Sequence, residues 1–138
     1  MQKFLIAFAM LALSATVAMA AAFASPGAGT PQRKAVLDAL RPKVERALNY
    51  RPVEFVVDEI RVGAGWAFVR VTPQRKGGGA LRNPDQEADG VHTEAVLKMV
   101  AGRWVVQDFA VGSTDVWFLE YCGKTPAGLL GGWCRGVG

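Results

Sequence analysis

Residues 91–111 read VHTEAVLKMVAGRWVVQDFAV, two largely apolar runs joined at Ala101-Gly102-Arg103. In the first run every second residue from Val91 to Met99 is apolar except Thr93, which is the period of a strand with one buried face. The second run, Trp104 to Val111, begins with apolar residues on both parities. A glycine at the junction suits a tight turn between antiparallel strands. The segment therefore predicts a β-hairpin.

A second pair of strands precedes this hairpin. Residues 53–62 and 66–72 both alternate, and Gly63-Ala64-Gly65 separates them as a turn. In the first strand of this pair the apolar positions change parity, which predicts a bulge near Asp58. Two sequential hairpins predict a four-stranded antiparallel meander. Three large rings of these strands are expected in its core, namely Trp66, Phe68 and Trp104.

An amphipathic helix is predicted before the sheet. Thr30 and Pro31 have the chemistry of an N-cap followed by proline at the first helical position. Pro42 lies inside the helical pattern and predicts either a kink or a division into two helices after Arg41. The apolar stripe that defines the helix repeats every three or four residues, at Val36, Leu40, Val44 and Leu48.

Aromatic residues cluster near the C-terminus. Ser113 or Thr114 is expected to cap a short helix there, and Gly123 is expected to end it. The rings are expected to cover the open side of the sheet as core, or to leave one or two exposed for a partner. The four rings are those of Trp117, Phe118, Tyr121 and Trp133.

This order of elements predicts an α+β fold, with the Pro-kinked first helix packed on the meander sheet and a short C-terminal helix. The order resembles the cystatin-like and nuclear-transport-factor-like folds. Residues 33–42, 66–69, the Trp104 strand and residues 112–115 look like a family of small, uncharacterised secreted proteins from proteobacteria. That resemblance covers nearly the whole chain after residue 24 and names no reaction. The glycine-rich loop and the two-cysteine tail depart from it.

The first 24 residues have the three-part layout of a secretory signal peptide. Lys3 precedes an apolar run from Phe4 to Leu13, and small residues then form two sites for a signal peptidase, ending at Ala20 and Ala24. The alternative is an uncleaved anchor. We favour cleavage, and expect a periplasmic or secreted protein without stable membrane insertion. The expected division is a signal peptide at 1–24, a flexible leader at 25–30 and a single domain at 31–138.

Cys122 and Cys134 are the only two cysteines. An even number of cysteines in an exported chain favours a disulfide, here closing a loop of about 12 residues. Two cysteines and one distant histidine do not supply the four ligands of a zinc site, so no metal is expected. No other cofactor is expected either.

The chain is weakly basic, with 16 Lys and Arg against 12 Asp and Glu. The charge concentrates on the predicted helix, whose basic face is either simply solvated or able to meet anionic lipid headgroups or cell-wall polymers. No nucleic-acid motif accompanies it, so no nucleic-acid partner is expected. The helical cations are Arg33, Lys34, Arg41, Lys43 and Arg46.

Residues 73–90 contain three successive glycines and predict a long mobile loop, either an insertion without a role or a binding loop. His92 is the only histidine. A hairpin that turns at Gly102 places it opposite residues 111–113, near Ser113 and Asp115. A serine, histidine and aspartate in this region allow a catalytic cluster, although no nucleophile elbow accompanies them.

These features predict an exported, non-enzymatic binding module that engages an envelope protein or cell-wall glycan. Its candidate binding residues are Trp117, Tyr121, Trp133 and His92. The alternative is a small hydrolase or isomerase in a cystatin-like cup, with His92 as the base and Asp108 or Asp115 as its orienting partner.

Overall fold

The computed structural model describes residues 23–137, so that most of the predicted signal peptide lies outside the described residues. The described chain is an α+β domain, as the sequence predicts, built on one long helix and a four-stranded antiparallel sheet. Its elements are α1 (Pro31–Leu48), β1 (Val53–Gly63), β2 (Trp66–Arg75), β3 (Thr93–Val100), β4 (Arg103–Val111) and two 3₁₀-helices (Trp117–Gly123 and Gly131–Cys134).

The sheet is the predicted meander, with strand order β1-β2-β3-β4. Its two hairpins turn at Ala64-Gly65 and Ala101-Gly102, where all four residues have positive φ, as the turns favoured in two-residue hairpins require. The register shifts between Val57 and Glu59, which confirms the predicted bulge at Asp58. A second shift, which the sequence pattern did not predict, leaves Gln107 of β4 without a partner on β3.

The helix begins and ends where its capping chemistry places it. The Thr30 hydroxyl accepts a hydrogen bond from the Arg33 amide at 3.4 Å, and Pro31 occupies the first helical position. Asn49 ends the helix in the left-handed region, with φ of 49°. Pro42 does not divide the helix, so the alternative of two separate helices is wrong. Its side chain is exposed.

The two faces of the sheet are covered differently. On the helix face, the buried stripe of α1 packs in one core with buried residues of β1, β2 and β3 and with partly buried residues of β4. The other face, which we call the tail face, is covered by the C-terminal segment, residues 117–134, which we call the tail. Phe118, Leu129 and Leu130 of the tail pack there on Phe68 and Val96 of the sheet.

The predicted disulfide between Cys122 and Cys134 is present, with a Cα–Cα distance of 5.6 Å. It joins the two 3₁₀-helices of the tail. A disulfide-bonded pair fits an extracellular or periplasmic protein, because cytosolic thiols are kept reduced. Among residues 23–137, no helix combines the length and apolar character that crossing a membrane requires.

Three details of the sequence interpretation are wrong. β2 continues to Arg75, because residues 73–75 pair with residues 53–55 of the long first strand, and the loop is correspondingly shorter than 73–90. The tail helix begins after Val116 without a side-chain cap, because the Ser113 hydroxyl bonds the backbone of Asp115 instead. Trp66 and Trp104 are only partly buried, since they lie at the end of the sheet where the covering layers stop.

Candidate functional site

The sequence-predicted binding residues surround a row of charges on the tail face. Glu59, Arg70 and Glu94 are direct neighbours across β1, β2 and β3, in the order negative, positive, negative. The bulge at Asp58 brings Glu59 into this row, because it shifts the following residues of β1 to the other face. The tail covers the row from above.

Hydrogen bonds from the row fasten the tail. The Trp133 indole N–H donates to Glu59 Oε2 at 3.0 Å, and the Arg70 guanidinium lies 4.8 Å from the centre of the Trp133 ring. Arg61, on the adjacent row, donates to the Leu129 carbonyl at 2.7 Å and pairs with Glu59. Trp133 is therefore fixed in the fold, because Glu59 binds the edge of its indole and Arg70 packs on the face.

Glu94 is the most deeply buried charge of the row. Its side chain is 7% exposed, and its Oε2 atom has no hydrogen-bond partner within residues 23–137. Burial raises the pKa of the Glu94 carboxyl, and His92, Trp117 and Arg70 oppose this in part. The Trp117 indole N–H and the Arg70 Nε–H are also buried, and in the described part of the chain neither has a partner that meets hydrogen-bonding geometry.

His92 lies where the hairpin register predicts. Its Nε2 atom is 2.9 Å from the Ser113 carbonyl oxygen and 3.8 Å from Glu94 Oε1. The Ser113 hydroxyl bonds the Asp115 backbone, so it is not the nucleophile of a serine and histidine pair. The carboxylate beside His92 is that of Glu94, which the sequence analysis did not select because nothing in a strand pattern distinguishes a buried glutamate from a solvated one.

The other orienting candidate, Asp108, has different contacts. Its carboxylate accepts hydrogen bonds from the Phe109 amide at 2.9 Å and from the Tyr121 hydroxyl at 3.4 Å. The contact with Asp108 raises the pKa of Tyr121, after the larger effect of burial. Asp108 thus holds the tail.

The aromatic rings of the tail largely contact one another. Trp117 and Tyr121 pack edge to face with centroids 6.1 Å apart, and Phe118 packs in the same way on Trp133 at 5.2 Å. Lys124 lies 5.4 Å from the centre of the Tyr121 ring. Phe118 is buried, and the other three rings are partly buried. Stacking on a sugar requires an open ring face, which this mutual packing does not favour.

A groove at the C-terminal end of α1 forms a second candidate site, one that the sequence pattern did not reveal. It encloses about 480 Å³, within the range of ligand sites. The chain makes it by turning at Asn49 from the helix into β1. Its lining residues are Pro42, Glu45, Arg46, Asn49, Tyr50 and Arg51.

The groove is predominantly cationic. Arg46 and Arg51 are exposed, and neither forms an ion pair within the part of the chain that the structure describes. Arg75 stacks on the groove residue Tyr50, 5.0 Å from the ring centre. The lining contains one acidic residue, Glu45. Its carboxylate accepts a hydrogen bond from the Val53 amide at 3.1 Å.

The guanidinium group of an exposed arginine can bind a carboxylate or a phosphate through two parallel hydrogen bonds. Arg46 belongs to the basic helix face that the sequence predicts. No sequence pattern connects it with Arg51 and Arg75, which the turn after the helix and the sheet bring to the same end of the fold. Within residues 23–137, no group of three or more His, Cys, Asp or Glu side chains converges to hold a metal ion. Comparison with family models, curated proteins and solved structures finds no match to this chain.

Proposed function

We propose that the protein is an exported, non-enzymatic binding module, and that the groove at the end of α1 binds acidic groups of cell-wall glycan. Two exposed arginines that form no ion pair within residues 23–137, in a groove of about 480 Å³, carry this proposal. The export assignment has independent support from the signal-peptide pattern and from the disulfide.

The electrostatics of the groove favour an anion. The C-terminal carbonyls of a helix repel anions, but here the Asn49 and Tyr50 amides already bond the Arg46 and Glu45 carbonyls. Glu45 keeps its negative charge, but one of its carboxylate oxygens is bonded to the Val53 amide, and the two arginines of the lining leave the groove with a net positive charge. A carboxylate of a peptide side branch, or a phosphate attached to the glycan, complements them.

Co-sedimentation of the exported protein with purified peptidoglycan sacculi tests this function. We expect the wild type to bind, and the double variant Arg46→Gln/Arg51→Gln to bind at least roughly a hundred-fold more weakly, because each of the two charge-assisted contacts contributes about 1.5–3 kcal/mol. The matched control is Arg82→Gln/Arg135→Gln, which removes the same charge from two exposed arginines outside the groove.

The comparison of the two double variants decides the outcome. Retained binding by the control supports the groove. Equal losses in both variants mean that net charge alone drives binding, and no binding by the wild type excludes cell-wall glycan as the ligand. Either of the last two results overturns the proposal.

The alternative, a hydrolase or isomerase with His92 as base, has one observation in its favour. Glu94, whose pKa burial raises, lies 3.8 Å from the His92 ring, and such pairs occur at catalytic sites. The neighbouring serine is engaged elsewhere. Loss of a measurable turnover in His92→Ala at an unchanged melting temperature would establish this alternative over the binding module.

A further inference from the structure

Both hairpin turns lie at one end of the sheet, because the strands of a meander alternate in direction. A hydrogen bond of 2.7 Å from the Met99 amide to the Gly65 carbonyl connects the β2 and β3 sides of this end. We call it the hairpin end, and define it as residues 63–66 and 98–105. It is the opposite end of β1 from the groove at the C-terminal end of α1, which we call the arginine groove, about 33 Å away along an eleven-residue strand.

The hairpin end exposes apolar side chains. The structure leaves six large apolar side chains exposed within residues 23–137, and three of them belong to this end: Met99 at 38%, Val100 at 47% and Val105 at 41%. The turn residues between them are also exposed and carry no polar side chain. The other exposed apolar residues lie in separate segments of the chain.

Two partly buried indoles flank these residues. Trp66 packs against the tail-face core and Trp104 against the helix-face core, so that one indole borders the hairpin end on each side of the sheet. Indoles placed between an apolar region and solvent are typical of the boundary between lipid and water.

The charge of the hairpin end has one sign. Residues 60–84 and 95–107 contain no Asp or Glu, and these ranges include both turns. Lys98 and Arg103 are exposed, and Lys98 Nζ lies 5.0 Å from the centre of the Trp66 ring. The apolar tip is therefore accompanied only by cations.

From this combination we infer that the hairpin end docks on the surface of an anionic lipid bilayer, with Met99 and Val100 entering the headgroup region and Lys98 and Arg103 meeting lipid phosphates. A bilayer accounts for the apolar tip and the cations together. A nucleic acid uses the cations but gives the exposed valines no apolar counterpart, and a protein partner would need an apolar patch matched to this tip beside its acidic groups. Docking by this end leaves the arginine groove facing away from the bilayer.

The test measures binding of the exported protein to sucrose-loaded vesicles of equal parts phosphatidylglycerol and phosphatidylcholine, and to vesicles of phosphatidylcholine alone. We expect binding to the first at low salt and at least ten-fold weaker binding to the second. Arg103→Gln should weaken binding to the anionic vesicles about five-fold, as expected for one basic residue at such a surface.

The decisive variant is Val100→Asp, with Val56→Asp as its control. Val56 is 46% exposed, almost the same as Val100, but lies in β1 near the opposite end of the strand. Both variants add the same charge, and a thermal melt of each variant checks that it is folded. We expect Val100→Asp to lose at least ten-fold in vesicle binding and Val56→Asp to lose less than three-fold. Equal losses, or no binding of the wild type to anionic vesicles, would overturn the inference and leave a protein or nucleic acid as the partner of this end.

Discussion

The backbone of Ala24 pairs with that of Val62 through two hydrogen bonds, of 2.9 and 2.8 Å. This bridge attaches the segment before α1 to the outer edge of β1. The preceding residue, Phe23, packs into the tail-face core, within van der Waals reach of the position that a Cβ on Gly128 would occupy. Residues 23 and 24 thus contact the domain, although the expected division of the chain assigns them to the signal peptide.

These contacts distinguish the two signal-peptidase sites. Cleavage after Ala24 removes the bridge and the Phe23 ring, whereas cleavage after Ala20 keeps both. We therefore expect the exported protein to begin at Ala21. N-terminal sequencing of the protein from the exported fraction measures this directly, and a chain beginning at Ser25 would show that the bridge is dispensable.

The disulfide is expected to contribute substantially to stability, since it closes a loop of about 12 residues beside the tail-face core. Replacing Cys122 by Ser should lower the free energy of unfolding by about 2–5 kcal/mol. Urea denaturation under oxidising conditions measures the loss. In excess reductant the wild type should fall to the level of the variant, and equal midpoints without reductant would contradict the prediction.

Glu94 should make stability depend on pH. Because burial raises the pKa of its carboxyl above the ordinary value of 4.5, the folded chain holds this proton more tightly than the unfolded chain. The resulting stabilisation is complete below pH 4.5 and is lost as the pH rises through the folded pKa. Glu94→Gln should therefore gain stability relative to the wild type as the pH rises from 4 to 7.

The measurement is the difference in unfolding free energy between wild type and Glu94→Gln across this pH range. Because His92 lies 3.8 Å from Glu94 and acts on its carboxyl, the same difference is also measured in a His92→Asn background, which leaves Arg70 as the neighbouring charge. A difference that does not change with pH would mean that the carboxyl titrates alike in the folded and unfolded chains.

Gly112 is expected to tolerate no side chain. Its φ is 69°, and a Cβ there would collide with the Gly90 carbonyl oxygen and lie 3.0 Å from the Asn83 amide nitrogen. Gly102, with φ of 77°, has open space around it and is the matched control. Gly102→Ala should cost about 1–2 kcal/mol, the cost of the left-handed backbone alone.

Gly112→Ala should cost at least about 2 kcal/mol more than Gly102→Ala, because the collision adds to the backbone cost. Chemical denaturation of the two variants side by side gives the comparison. Similar losses would show that the loop at Gly90 moves aside at little cost.

Local patterns were sufficient to predict the elements of the fold. Alternation identified the strands, the parity change located the bulge at Asp58, and Thr30-Pro31 located the start of α1. The bulge at Gln107 was missed, because Val105 and Val106 give β4 apolar residues on both parities and the register shift leaves no signature there.

The sites were harder to predict, because they depend on contacts between distant segments. His92, Trp117 and Trp133 were selected for their chemistry, but the sequence did not reveal that Glu94 lies between the first two. Arg51 became part of a groove only through the turn after Asn49. The position of these side chains depends on how the helix packs on the sheet, and the local periodicity of the sequence carries no information on that packing.

The central claim, a binding module whose ligand occupies the groove at the end of α1, is tested most directly by amide NMR. The exported, ¹⁵N-labelled protein is titrated with soluble peptidoglycan fragments that retain their acidic peptides. We expect the largest shift changes at Arg46 and residues 49–51, with the amides of His92, Glu94 and Trp117 little affected. Changes confined to these last three residues, or no change at saturating fragment, would contradict the account.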